Sequence, residues 1–133
     1  MNIIYKTTKD FTKQELETLF LSVNWLSGRY PDRLVKAMKH SSIVISAWDD
    51  DKLIGLVNAI DDSEMTAYAH YLLVNPAYQG YGIGRELLYQ LKKHYEGYLY
   101  LLIMAEKRDK VSFYTKHGFE IAEGSTPLLI KTL

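Results

Sequence analysis

The tightest constraint on this chain is a run in its middle, Tyr71-Leu72-Leu73-Val74-Asn75-Pro76-Ala77-Tyr78-Gln79-Gly80-Tyr81-Gly82-Ile83-Gly84-Arg85-Glu86-Leu87-Leu88. Tyr71 to Val74 is apolar and short enough for a buried strand. Asn75-Pro76 stops it, because proline has no N–H for the next ladder bond. Gly80, Gly82 and Gly84 follow on alternate positions, and beyond them Ile83, Leu87, Leu88 and Leu91 fall on one helical face. The segment reads strand, glycine-rich turn, helix.

Such a turn has a chemical use. The first N–H groups of a helix have no internal partner, and the helix dipole adds partial positive charge there. Glycines let a ligand approach the backbone closely and permit conformations that a Cβ forbids. Together they suit a phosphate or pyrophosphate. The same glycines would equally serve close packing of helix on sheet, and by themselves they leave both readings open. The spacing narrows the phosphate options. A P-loop needs Gly-Lys-Ser/Thr, whereas Gly84 is followed by Arg85-Glu86; a dinucleotide fingerprint needs G-x-G-x-x-G, whereas these glycines are spaced evenly by two.

What fits is Gln-x-x-Gly-x-Gly, read as Gln79-Gly80-Tyr81-Gly82-Ile83-Gly84 behind an apolar strand and Asn-Pro. It resembles the acetyl-coenzyme A signature of the GNAT superfamily of N-acetyltransferases. A second stretch, Val111-Ser112-Phe113-Tyr114-Thr115-Lys116-His117-Gly118-Phe119, resembles the Ala-x-x-Phe-Tyr-x-Lys-x-Gly-Phe segment of the same enzymes. Lys110 stands where alanine is usual, and Lys107 where an asparagine commonly contacts coenzyme A.

Composition sets the outer bounds. At 133 residues the chain is expected to form one domain, with 47% hydrophobic and 24% charged residues, as in ordinary globular proteins. Sixteen basic residues balance sixteen acidic ones, which disfavours nucleic acid or an anionic membrane as partner. The absence of cysteine excludes disulfides, thiolate metal sites and a cysteine acyl-enzyme. The start, Met1 to Lys6, lacks a signal-peptide pattern, and no apolar run approaches the ~20 residues of a membrane span. A cytoplasmic protein is expected, and a homodimer is left open.

In chain order, Ile3 to Lys6 reads as a strand, and Thr12 with Glu15 as a capping box. Leu16, Leu19, Phe20 and Val23 mark a helix, followed by a loop from Trp25 to Pro31. Asp32 is expected to cap a second helix carrying Leu34, Val35 and Met38. Ile43–Trp48, Leu53–Ile60 and Met65–Val74 read as strands joined by acidic turns. After the glycine helix, Tyr98 to Ala105 is the most apolar strand candidate and is expected at the sheet centre. Asp109 to His117 reads as a short helix with Gly118 as C-cap, and Phe119–Ala122 and Leu128–Lys131 as two closing strands. The expected architecture is α/β, the GNAT fold: a mixed central sheet flanked by helices in a single domain, residues 1–133.

The resemblance implies roles for individual residues. Backbone groups of Leu72, Leu73 and Val74 would pair with the pantetheine arm as with another strand. Gln79, Gly80, Tyr81, Gly82, Ile83, Gly84 and Arg85 would form the pyrophosphate site. An amine would attack the thioester directly, in a ternary complex, with a backbone N–H near Leu72 stabilising the carbonyl oxygen. Tyr114 matches the general acid that protonates the departing thiolate; alternatively it packs in the core. His70 is placed by strand alternation on one face with Tyr68 and Leu72, as base or water relay, with Glu106 the weaker candidate. His40, His94 and His117 sit where helices end and read as structural. No metal-ligand spacing is present.

The acceptor site is expected from the least family-like parts. Trp25 and Tyr30, with Asp61 and Asp62, would suit a cationic amine; alternatively the aromatics cover the core edge and the acids are solvated turn residues. A rival reading is a non-catalytic acyl-coenzyme A sensor on the same scaffold.

Overall fold

A computed structural model describes every residue except Lys107, and describes Arg108 and Asp109 by their backbone alone. The expectation about Lys107 therefore lies outside the described residues. The chain divides into two units, Met1–Ile103 and Met104–Leu133.

The first unit holds β1 (Ile3–Lys6), α1 (Lys13–Ser22), α2 (Pro31–His40), β2 (Ile43–Asp49), β3 (Lys52–Asp61), β4 (Thr66–Val74), α3 (Ile83–His94) and β5 (Tyr100–Ile103). The strands lie in sequence order, antiparallel from β1 through β4, with β5 parallel to β4. A parallel neighbour needs a crossover, and α3 supplies it. On one face, Leu16, Leu19 and Phe20 of α1 and Leu34 and Met38 of α2 pack against Val44, Trp48, Leu56 and Leu73. On the other, α3 buries Ile83, Leu87, Leu88 and Leu91. Because both faces are covered, β3 is buried almost end to end and its sequence runs apolar rather than alternating. Gly55 marks the closest approach: a Cβ there would lie 3.1 Å from the Leu73 carbonyl oxygen and 3.5 Å from Leu87 Cδ1.

The local signals for α1 are those of its sequence. Thr12 Oγ1 accepts from the Glu15 N–H at 3.1 Å, and Glu15 Oε1 accepts from the Thr12 N–H at 2.8 Å. α2 begins differently from expectation. Pro31 takes the first helical position, which needs no N–H, and Asp32 lies inside the first turn without capping it.

β5 also departs from the sequence reading. It is four residues long and ends the order of strands instead of occupying its centre. Its apolar residues reflect a surface, since Tyr100 is 56% and Leu102 46% exposed.

The second unit holds α4 (Arg108–Lys116). Gly118, at φ +96°, closes it as expected. The Phe119 N–H bonds to the Tyr114 carbonyl and the Gly118 N–H to that of Thr115, the two bonds of a Schellman motif. The two expected closing strands are absent among the described residues. Ile121 to Ser125 instead forms local turns, closed by Glu123 N–H to Ile121 O and Ser125 N–H to Ala122 O. Leu128, Leu129 and Ile130 are 92%, 80% and 87% exposed. An apolar run becomes a strand only where a neighbour completes its ladder, and among the described residues this segment pairs with no strand.

Candidate active site

The glycine turn is anchored on both sides. Asn75 donates its N–H to the Ile54 carbonyl at 2.8 Å, and its side chain accepts from the Ala77 N–H at 2.9 Å. Tyr78 donates its hydroxyl to Asp49 Oδ2 at 2.7 Å, and Gln79 Nε2 donates to the Val74 carbonyl at 3.1 Å. Between these ties and α3, Gly80 and Gly82 take φ of +88° and +80°. A Cβ at Gly80 would meet nothing within 4 Å, and at Gly82 only the Arg85 guanidinium, 3.6 Å away. At these two positions it is backbone conformation, not crowding, that requires glycine, so close helix–sheet packing does not explain them. Gly82 is the N-cap of α3 and has no side chain to offer the helix's first amides. Those amides are thus left for an anion. Tyr81 and Arg85 beside them are exposed.

The strand leading into the turn is irregular at its middle. Val57 pairs with Leu72 and Ala59 with Ala69, so His70 and Tyr71 together oppose Asn58 alone. This is a β-bulge, and Asn58 fills it. Its Oδ1 accepts from the Tyr71 N–H at 2.9 Å, while its Nδ2 donates to Ser41 Oγ at 3.0 Å. Ser41 in turn donates to the Ala37 carbonyl at 2.8 Å. On the other side, β4 and β5 pair only from Thr66–Tyr100 to Ala69–Ile103. Residues 70–74 of β4 therefore continue, among the described residues, without a strand on that side. A short open edge running into an anion turn suits a ligand that is extended at one end and carries phosphate at the other.

The bulge corrects the alternation assumed for His70. Tyr71 and Leu73 pack with α1 and α2, whereas Val74 lies beside Gly55 and Leu87 of α3. The rings of Tyr68 and His70 stack at 5.8 Å and those of His70 and Tyr71 at 3.9 Å. His70 thus shares its face with Tyr68 and Tyr71, and Leu72 turns to the other. Tyr71 is further fixed by Phe20 and Trp25, 4.9 and 5.9 Å away, and by a 2.7 Å hydrogen bond between its hydroxyl and Ser27. His70 keeps solvent contact, but its packing lowers its pKa below the ordinary histidine value. Its imidazole is neutral at pH 7 and can accept a proton. Burial raises the pKa of Tyr68, with Tyr71 adding to it.

The acceptor residues are not brought together. Trp25 covers Phe20 and Tyr71 at the core edge. Tyr30 is exposed, with the Arg33 guanidinium 6.0 Å from its ring centre. Asp61 ends β3 and Asp62 follows it in the turn, with Asp61 paired with Ala67 near the start of β4. That is four strand residues from Tyr71, or ~13 Å. Both carboxylates are engaged. Asp61 accepts from the Tyr95 hydroxyl at 2.6 Å and the Ser63 N–H at 2.9 Å, and the Tyr95 bond leads the causes that lower its pKa. Asp62 accepts from the N–H groups of Met65, Thr66 and Glu64, which hold its pKa at about 2.

In the second unit, Tyr114 packs edge-on against Phe113 and Phe119. Burial, and then the Glu106 carboxylate, raise its pKa. It holds its proton at neutral pH, as an acid must before it donates. His40 and His94 are the last residues of α2 and α3, and His117 follows α4, as read from the sequence. Among the described residues no cluster of three or more His, Asp or Glu could hold a metal. No described helix is long and apolar enough to cross a membrane.

Asn58, Tyr71 and Ser27 escaped the sequence reading. Asn58 did carry a signal, as the one polar residue between Leu53 and Ile60. A buried amide in such a run must find partners.

Residues 8–119 match the model of the acetyltransferase (GNAT) family. The uncharacterized N-acetyltransferase ycf52 of Porphyra purpurea is 32% identical over 124 residues, covering 89% of this chain and 70% of that protein. A solved GNAT family acetyltransferase from Streptococcus pneumoniae TIGR4 is 25% identical, with a TM-score of 0.84 and 98% of each chain covered. SA2161 from Staphylococcus aureus, 20% identical with a TM-score of 0.85 over 98% of this chain and all of its own, shares the fold.

Proposed function

The chain belongs to the GNAT family of acetyltransferases, and from that premise we propose that it transfers the acetyl group of acetyl-coenzyme A to a primary amine of a small molecule or peptide, by direct attack in a ternary complex. The observation that carries this reading is the open edge of β4, residues 70–74, ending in a turn whose glycines at +88° and +80° bare the first amides of α3. The family match spans both compact units, which supports a single catalytic domain.

The donor brings an activated acyl group as a thioester. The chain binds and orients it. Amides from Gly80 to Arg85 hold the pyrophosphate, and backbone groups of Leu72 to Val74 pair with the pantetheine arm. A backbone N–H near Leu72 meets the carbonyl oxygen as charge develops there. An amine is mostly protonated at pH 7, so a proton must leave before or during attack. His70, neutral and open to solvent, takes it directly or through water. Tyr114, held protonated by burial, gives its proton to the departing thiolate. No cysteine is present for an acyl-enzyme, in keeping with direct attack.

Two measurements test this. Acetyl-coenzyme A should raise the melting temperature where ATP does not, and a panel of amines and short peptides should include one that drives thiol release with N-acetyl product in equal amount. A folded protein that binds no acetyl-coenzyme A overturns the reading. Binding without transfer across the whole panel would instead favour the sensor.

A further inference from the structure

We propose that Asn58 is a positioning residue for acetyl transfer: by filling the β4 bulge it sets the placement of His70 and of the Leu72 backbone without touching substrate. The inference rests on the acetyl-transfer reading for its kinetic consequence only.

Asn58 is 3% exposed in the middle of β3, at the one place where β4 carries two residues against one. The extra residue leaves Tyr71 without a ladder partner on β3, and the amide oxygen of Asn58 supplies the acceptor its N–H requires. The other end of the amide is bound by Ser41. Both ends being fixed, the side chain cannot turn to release Tyr71.

The two β4 groups placed nearest the proposed acyl transfer, His70 and the Leu72 backbone, flank that bond. His70 and Tyr71 are the bulged pair, and their rings stack at 3.9 Å because the bulge places both on one face. Leu72 is the first residue restored to the ladder, opposite Val57. A one-residue change of register would turn every later side chain to the opposite face, exposing Leu73 from the core. The strand is thus held in register downstream, and loss of the Asn58 bond loosens the bulge itself. Reacting groups misplaced by about 1 Å lose on the order of 10²-fold in rate. The glycine turn, tied separately by Asn75, Tyr78 and Gln79, is left in place. The kinetic signature is therefore a fall in kcat with little change in the KM for acetyl-coenzyme A.

The test compares Asn58→Leu, which keeps the branched shape at somewhat larger volume and removes both bonds, with Ser41→Ala, which removes the Nδ2 partner and leaves the Tyr71 acceptor. Spermidine, tyramine and the dipeptide Ala-Ala serve as probe amines. For a folded Asn58→Leu we expect kcat to fall about 10- to 100-fold with KM for acetyl-coenzyme A within about threefold, and the NMR titration of His70 to move toward that of an ordinary histidine. Ser41→Ala, which frees one end of the amide but leaves the Tyr71 acceptor, should lower kcat and shift the His70 titration less than Asn58→Leu does. If Asn58→Leu does not fold, Asn58→Asp retains an acceptor for Tyr71 and should keep most of the activity, while Asn58→Thr, with a shorter side chain, should not. A folded Asn58→Leu with wild-type kcat and His70 titration overturns the proposal, as does an Asn58→Asp no more active than Asn58→Thr. A wild-type protein that transfers to none of the probes counts against acetyl transfer to those amines, while the His70 titrations still decide the placement.

Discussion

Substituting Gly82 separates the two contributions of the glycine turn. Its φ of +80° and ψ of 12° are left-handed, and a Cβ there would sit 3.6 Å from Arg85 Nη2, an ordinary contact. Gly82→Val therefore strains the backbone by roughly 1–2 kcal/mol without an internal clash. With an unfolding entropy of about 2.1 cal/mol/K per residue, or ~0.28 kcal/mol/K over 133 residues, the melting temperature should drop by about 4–7 °C. Gly82→Asn tolerates the left-handed conformation and should lose little of that stability. In both variants the added side chain stands where a pyrophosphate must approach. Loss or lengthening of one hydrogen bond to a charged group, roughly 1.5–3 kcal/mol, weakens binding by about 10- to 100-fold. Titration calorimetry with acetyl-coenzyme A reads the affinity and scanning calorimetry the stability. Wild-type affinity in folded Val and Asn variants would refute the cradle, whatever happens to the melting temperature.

Tyr114→Phe should lower kcat by about 10²–10⁴-fold and leave the dissociation constant for acetyl-coenzyme A nearly unchanged; full activity with chemistry rate-limiting would return Tyr114 to a packing role. His70→Gln should reduce turnover and abolish the acid limb of the pH–rate profile, which in the wild type should have its midpoint below the ordinary histidine value because packing lowers that pKa; an unaltered limb in the variant would assign the proton elsewhere. The same lowered pKa makes the unfolded chain bind a proton more readily, so His70 should cost stability as pH falls from ~6.5 through its folded value. Denaturant melts of His70→Gln should show a weaker loss over that range, and identical slopes would remove the linkage. Thr12→Ala breaks the capping box and should cost ~1 kcal/mol, seen as a melting temperature lower by about 4 °C with activity unchanged.

Features that depend on nearest neighbours were legible in the sequence. The Thr12–Glu15 box, the Pro76 stop, the left-handed glycines and the Gly118 cap each follow from the conformations a few adjacent residues allow. Features set by distant partners were not. The apolar run from Tyr98 to Ala105 says that the segment seeks cover, but not whether it lies at the centre or the edge. Leu128 to Ile130 has strand-forming residues, yet among the described residues it pairs with no strand. Strict alternation put His70 with Leu72, and only the β3 register reveals that one residue of β4 is extra. Asp61 and Asp62 looked like exposed acids because the Tyr95 hydroxyl, 34 residues away, and the turn amides that occupy them cannot be read from a hairpin's composition.

The central claim is that acetyl-coenzyme A lies along the open edge of β4 with its pyrophosphate on the glycine turn. Amide hydrogen exchange followed by NMR, with and without saturating acetyl-coenzyme A, tests it directly. Exchange should slow chiefly within residues 72–74 and 80–85, with the Asp61–Glu64 turn and the exposed face of α2 unaffected. Binding that leaves both segments exchanging at their free rates, while protecting residues elsewhere, would contradict it.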